Sequence, residues 1–146
     1  MENVNNHAAT MTQRSVSLAG ARDIIRTAQR TAREKGWQIA VAVVDRAGEL
    51  VALERDDAAI GISPIVAIGK ARTAALLRAP SGEFESFING GQPSFLATPG
   101  VTPLEGGVPL RLGEEVIGAV GVSGAHGAND TRVAQAAADA LAKEDK

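Results

Sequence analysis

Cysteine and tyrosine are both absent from this chain of 146 residues, and the aromatic complement is three Phe and one Trp. Without cysteine there is no disulfide, no thiolate nucleophile, no zinc-thiolate centre and no covalent c-type haem attachment. With aromatics at 3% of a sequence that is 45% hydrophobic, the core must be built from Ala, Val, Ile and Leu. Basic residues form no contiguous block, and 15 Lys and Arg against 17 Asp and Glu leave a net charge of -2. The electrostatic footprint of a nucleic-acid binder is therefore missing. No apolar run approaches the ~20 residues of a membrane span. Met1 to Gln13 has neither the basic n-region nor the apolar h-region of a secretory signal. These exclusions predict a soluble, cytoplasmic protein that engages neither nucleic acid nor membrane.

The length suits one domain. We expect a flexible N-terminal segment, 1–16, and a single domain over 17–146. From Ser17 to Gly36, the spacing of Leu18, Ala21, Ile24, Ile25, Ala28 and Ala32 predicts a helix, with Ser17 as N-cap and Gly36 just past its end. "WQIAVAVVD" (37–45), a turn through Gly48, and the alternating "ELVALERD" (49–56) predict a β-hairpin. Asp45 and Gly48 are most simply turn formers. Ser63-Pro64 reads as an N-cap followed by Pro at the first helical position, opening a helix in which Gly69 implies close packing against another backbone. A short helix over Glu83 to Ile88 follows, then a Pro, Gly and Thr-rich loop with a short strand near Val101 to Leu104. "GVPLRL" (107–112) and "EVIGAVGVSG" (115–124) form a second hairpin. Its glycine-rich second strand is placed centrally, with something packed close upon it. Asn129 or Asp130 caps a C-terminal helix. Hairpins separated by helices argue for an α+β domain with an antiparallel sheet.

Several separated blocks match a known family in order: Val44-Asp45 with Gly48, Arg55 with Asp57 and Ala59, and Ser63. They continue with Lys70-Ala71, Thr73-Ala74, Gly106-Gly107 with Pro109, Gly118 through Gly124, and Asp130. On these the chain resembles the GlcG/HbpS-like, or haem-degrading domain, family, which includes the PduO C-terminal domain. The likeness runs from about residue 17 to 142. One departure is that Arg55 is followed by Asp56-Asp57-Ala58-Ala59, where the family usually has Met-Asp-Gly-Ala. The resemblance implies a profilin-like fold with a five-stranded antiparallel sheet and flanking helices, assembled into dimers or larger homo-oligomers. It implies haem as a ligand for some members. The Ala-rich helices "ARTAAL" and "AQAAADALA" independently suggest intersubunit burial, since they bury little area within one chain.

Three functions stay open. The first is binding of a small ligand, with haem as the named candidate. Axial haem ligands are typically His, Met, Cys or Tyr, and the last two are absent. Of His7, His126, Met11 and Met1, only His126 falls outside the N-terminal segment. The second is a cofactor-independent lyase, isomerase or hydratase acting on a small organic acid. Here His126 is the acid or base, Arg55 or Lys70 holds the anionic group, and Asp57 or Glu105 is the opposite partner. "GISPIVAIGK" is not a P-loop, so nucleotide chemistry is not indicated. The third is a non-catalytic accessory or assembly protein. Gly106-Gly107 either brings backbone N–H groups to a ligand or lets the chain turn sharply into a strand. His126 and Asp130 are four residues apart, but two residues fall short of a usual metal ligand set. The plain alternatives are a surface or snorkelling Lys70 and a turn-capping His126.

Overall fold

Along β1 (Ala40–Asp45), side chains alternate between two faces, and the choice of valine or alanine at each sets a three-layer arrangement. Val41 and Val43 point into one apolar cluster, and Ala40, Ala42 and Val44 into another. The computed structural model describes residues 8–144. β1 pairs antiparallel with β2 (Leu50–Arg55) and with β4 (Glu115–Ser123), and β4 pairs antiparallel with β3 (Gly107–Leu112). The order is β2-β1-β4-β3.

The valine face is covered by α1 (Leu18–Glu34) and α4 (Gly127–Glu144), whose Ile24, Ile25, Val133 and Ala137 join Val41, Val43, Val120 and Val122. The alanine face receives α2 (Ser63–Leu77). Small residues meet small residues there, so α2 lies very close. A Cβ added to Gly121 would stand 2.2 Å from the Ala67 carbonyl oxygen. α3 (Gly82–Asn89) and a short 3-10 turn (Pro93–Ala97) gather all three phenylalanines, Phe84, Phe87 and Phe95, with ring centroids 4.8 to 5.9 Å apart.

Ser17 caps α1 as expected, its Oγ accepting from the Gly20 N–H at 3.0 Å, and Gly36 follows at φ 76°. Several expectations need correction. The sheet has four strands among the described residues, not five. The segment near Val101 to Leu104 adds no strand. The Thr102 N–H donates to Thr73 Oγ1 at 2.9 Å, Pro103 has no N–H, and the Leu104 N–H turns back to the Thr102 carbonyl. Ser63 is not a cap: Ile62 holds that position, and the buried Ser63 Oγ has no hydrogen-bond partner among the described residues. Asp130 lies inside the first turn of α4 rather than at its cap, because the helix already begins at Gly127. Gly69 is packed close as expected, but against the Thr102 side chain rather than a backbone.

His7 and Met1 lie outside the described residues. Within the segment expected to be flexible, Val16 is buried and its N–H donates to the Ile117 carbonyl at 2.9 Å. Arg14 holds Glu115 through its backbone N–H and its Nε, at 2.9 and 2.8 Å. No helix among the described residues is long and apolar enough to cross a membrane.

Candidate functional site

β4 ends at Ser123, and the chain passes through Gly124, Ala125 and His126 into α4. His126 has φ 75°, a left-handed backbone that costs a non-glycine residue about 1–2 kcal/mol. The turn is held from beneath. Asp130 Oδ1 accepts the Ala125 N–H at 2.8 Å, the Asn129 amide donates to the Ala125 carbonyl at 3.0 Å, and the Asn129 N–H donates to the His126 carbonyl at 2.9 Å. The other oxygen of Asp130 receives Lys70 Nζ at 3.0 Å, and Nζ also donates to the Val122 carbonyl at 2.9 Å. Both charged side chains are nearly sealed from solvent, at 4% and 3% exposure. Each therefore depends on the other for its charge to be tolerated.

Above this pair opens a cavity of about 410 Å³, within the usual range of small-molecule sites. Ile60, Val66 and Leu104 give it apolar walls, and Gln38, Ser123, Glu85, Glu105 and His126 give it polar ones. The His126 side chain is exposed and makes no hydrogen bond among the described residues. The Glu105 N–H donates to Glu85 Oε1 at 2.7 Å, while Glu105 Oε1 accepts the Thr131 hydroxyl at 2.7 Å. The same two glutamates line a neighbouring cavity of about 470 Å³, which also includes Phe87, Gly106 and Gly107.

The fold thus brings Lys70, Glu105 and His126 to one space, from α2, the loop before β3, and the β4–α4 turn. Arg55 and Asp57 are not among the residues lining it. They are exposed at the end of β2 and in the loop beyond, although Ala58 and Ile60 of that loop do reach the wall. Gly106-Gly107 accommodates α2: a Cβ on Gly107 would meet the Lys70 carbonyl oxygen at 2.1 Å, and one on Gly106 would meet Lys70 Nζ at 2.9 Å. No group of three or more His, Cys, Asp or Glu able to hold a metal ion occurs among the described residues, and both Asp130 oxygens already have donors. Glu85 escaped sequence reasoning. It sits in the first turn of α3, and only the packing of that helix against the loop 20 residues on makes it part of the wall.

These features define an α+β domain with an antiparallel sheet, helices on both faces, and a ligand-sized cavity where the central strand β4 ends. The chain belongs to the HbpS-like family, described as haem degrading protein HbpS-like, which matches residues 16–139. Protein GlcG of Escherichia coli K12 is 45% identical over 100 residues, 68% of this chain and 75% of GlcG. The crystal structure of Klebsiella pneumoniae protein ORFY superimposes with a TM-score of 0.87 at 29% identity, covering 92% of this chain and 96% of ORFY. A crystal structure of PduOC in complex with haem gives a TM-score of 0.78 at 25% identity, covering 86% of this chain and 94% of that one.

Proposed function

We infer that this domain binds a small, flat, largely apolar ligand in the cavity at the end of β4, and that the ligand is haem held through the His126 imidazole. The observation that carries the reading is the state of that imidazole. It lines the cavity without a hydrogen bond among the described residues, on a left-handed backbone that Asp130 and Asn129 brace. A single nitrogen donor against walls of Ile60, Val66 and Leu104 suits a metalloporphyrin with one protein axial ligand. When bound, haem supplies an iron centre open to ligand exchange and electron transfer. The chain's own part would be to hold the iron through the oriented His126 imidazole and to offer Ile60, Val66 and Leu104 as apolar contacts. Glu85 and Glu105 on the cavity wall would repel the propionates of a bound haem. The family's description and the haem complex of PduOC support the same ligand. Ile60, Ile62 and Ile65, 60 to 71% exposed just before and at the start of α2, favour the self-association expected from the sequence.

Haemin titration followed at the Soret band tests this. The wild type should show a shifted band saturating at one equivalent. His126→Gly, which keeps the backbone conformation without strain, should lose that shift while unfolding at the same temperature or higher. A titration unchanged by His126→Gly removes this histidine as the ligand.

A second reading has one observation on its side: His126, Glu85 and Glu105 surround a single space, as general acid–base catalysis requires. The substrate of such an enzyme is neutral or cationic rather than an organic acid, because Lys70 is already paired to Asp130. The non-catalytic accessory role is what remains if neither haem nor turnover depends on these residues.

A further inference from the structure

Two non-glycine residues among those described adopt a left-handed backbone, His126 at φ 75° and Arg78 at φ 58°. Arg78 closes α2 where glycine is the usual residue, its N–H donating to the Ala74 carbonyl. A strained backbone persists where its surroundings demand it, and such positions gather at binding sites. Here the two strained residues line cavities at opposite ends of the molecule. His126 lies beyond the Ala40–Ser123 end of the central strands, and Arg78 near the Asp45–Gly118 end, roughly 17 Å away along β1.

The second cavity, of about 390 Å³, is lined by Gln13, Ser15, Asp45, Arg46, Arg78 and Val116, among others. Its two arginines are in different states. Arg46 is anchored: Nη1 donates to Glu115 Oε2 at 3.1 Å and to the Val116 carbonyl at 3.0 Å, which leaves its other N–H groups available. The Arg78 guanidinium is exposed and has no hydrogen-bond partner among the described residues. The acidic groups nearby each have at least one oxygen engaged, and Asp45 Oδ2 has no partner among the described residues. Asp45 Oδ1 accepts the N–H groups of Ala47 and Glu49 at 2.9 and 3.0 Å, and Glu115 is shared between Arg14 and Arg46. Arg111 adds positive charge, donating to the Arg78 carbonyl at 3.0 Å. One fixed and one unclaimed guanidinium facing a common space match the forked geometry that oxyanions take.

We propose that this cavity is a second ligand site, separate from the haem cavity, which binds a small dianion, a phosphate or a dicarboxylate, between Arg46 and Arg78. The site does not rest on the reading given for His126. Its anion is gripped by the Arg78 fork and steadied by the free N–H groups of Arg46, whose backbone N–H is fixed on Ser15 Oγ at 3.0 Å.

The test is a pair of NMR titrations of the whole protein, one with inorganic phosphate and one with malonate, following backbone amides. The amides of Arg46, Ala47 and Arg78 should shift together in at least one titration, and the stronger response identifies the head group. Arg78→Gly removes the fork and relaxes the backbone while keeping the carbonyl that Arg111 uses. It should weaken the anion at least about tenfold, the scale of losing charge-assisted hydrogen bonds. Arg78→Lys should fall between, and His126→Gly should bind the anion as the wild type does. If neither anion shifts these amides, or if Arg78→Gly binds as tightly as the wild type, the site does not exist.

Discussion

Replacing Lys70 by methionine is a direct probe of the machinery beneath the site. The two side chains are similar in length, and the Lys70 stem lies against Gly106, so packing is largely kept. What is removed is the ammonium that donates to Asp130 Oδ2 at 3.0 Å and to the Val122 carbonyl at 2.9 Å. Asp130, at 3% exposure, then keeps the Ala125 N–H and loses its counter-charge. Breaking a buried pair from one side costs about 3–5 kcal/mol, a large part of the 5–15 kcal/mol that typically holds a domain together. Lys70→Met with Asp130→Asn removes both charges, and should recover at least about 1–2 kcal/mol of that loss. Urea unfolding of the wild type, both single variants and the double variant measures the cycle. Methionine at 70 costing under about 1 kcal/mol, or strict additivity of the two changes, would refute the reading of a tightly coupled buried pair.

Other predictions follow from close contacts and from charge. Gly121→Ala places a methyl 2.2 Å from the Ala67 carbonyl oxygen and 2.6 Å from the Ala71 nitrogen, so α2 must back away by about 1 Å. The expected cost is about 1–3 kcal/mol or more, read as a lowered Tm, and an unchanged Tm would mean that α2 does not lie on β4 as described. Glu115 is held below the usual carboxylate range by the Arg14 backbone N–H and then the Arg14 side chain, with Arg46 contributing less. A depressed folded-state value means that its stabilisation is present above the ordinary value of 4.5 and fades as pH falls through the lower folded one. The stability difference between wild type and Glu115→Gln should therefore be flat near neutrality and shrink in acid. A difference that grows in acid contradicts the pairing. The His126→Gly and Arg78→Gly experiments add a shared expectation: each relieves a left-handed non-glycine residue, so neither should lower Tm.

Much of the fold was legible because its signals are local. The spacing of apolar residues in α1 and the Ser17 cap need no distant partner to be recognised, and the two hairpins declare themselves by alternation and turn residues. Errors arose where a local signal met a tertiary competitor. Ser63 and Asp130 both look like helix caps, yet Ser63 is buried inside the first turn of α2, and Asp130 is turned inward by Lys70, 60 residues away. The segment near Val101 forms no strand for the same reason, since its Thr102 donor is taken by Thr73 of α2 rather than by a neighbouring strand.

The sequence by itself determined the inventory: no thiol, no phenol, one histidine beyond the first sixteen residues, a small-residue core, and the helices and four strands in their order, though with one strand too many near Val101. It also singled out Lys70, Glu105 and His126, though not their relation to each other. Only the tertiary structure decided that Lys70 is spent on Asp130, that Glu85 joins Glu105 on the cavity wall, and that Arg55 and Asp57 stand outside it. The physical reason is that these outcomes depend on which partners reach a charge first. Burial and distance between remote segments set that competition, and periodicity along the chain carries no record of it.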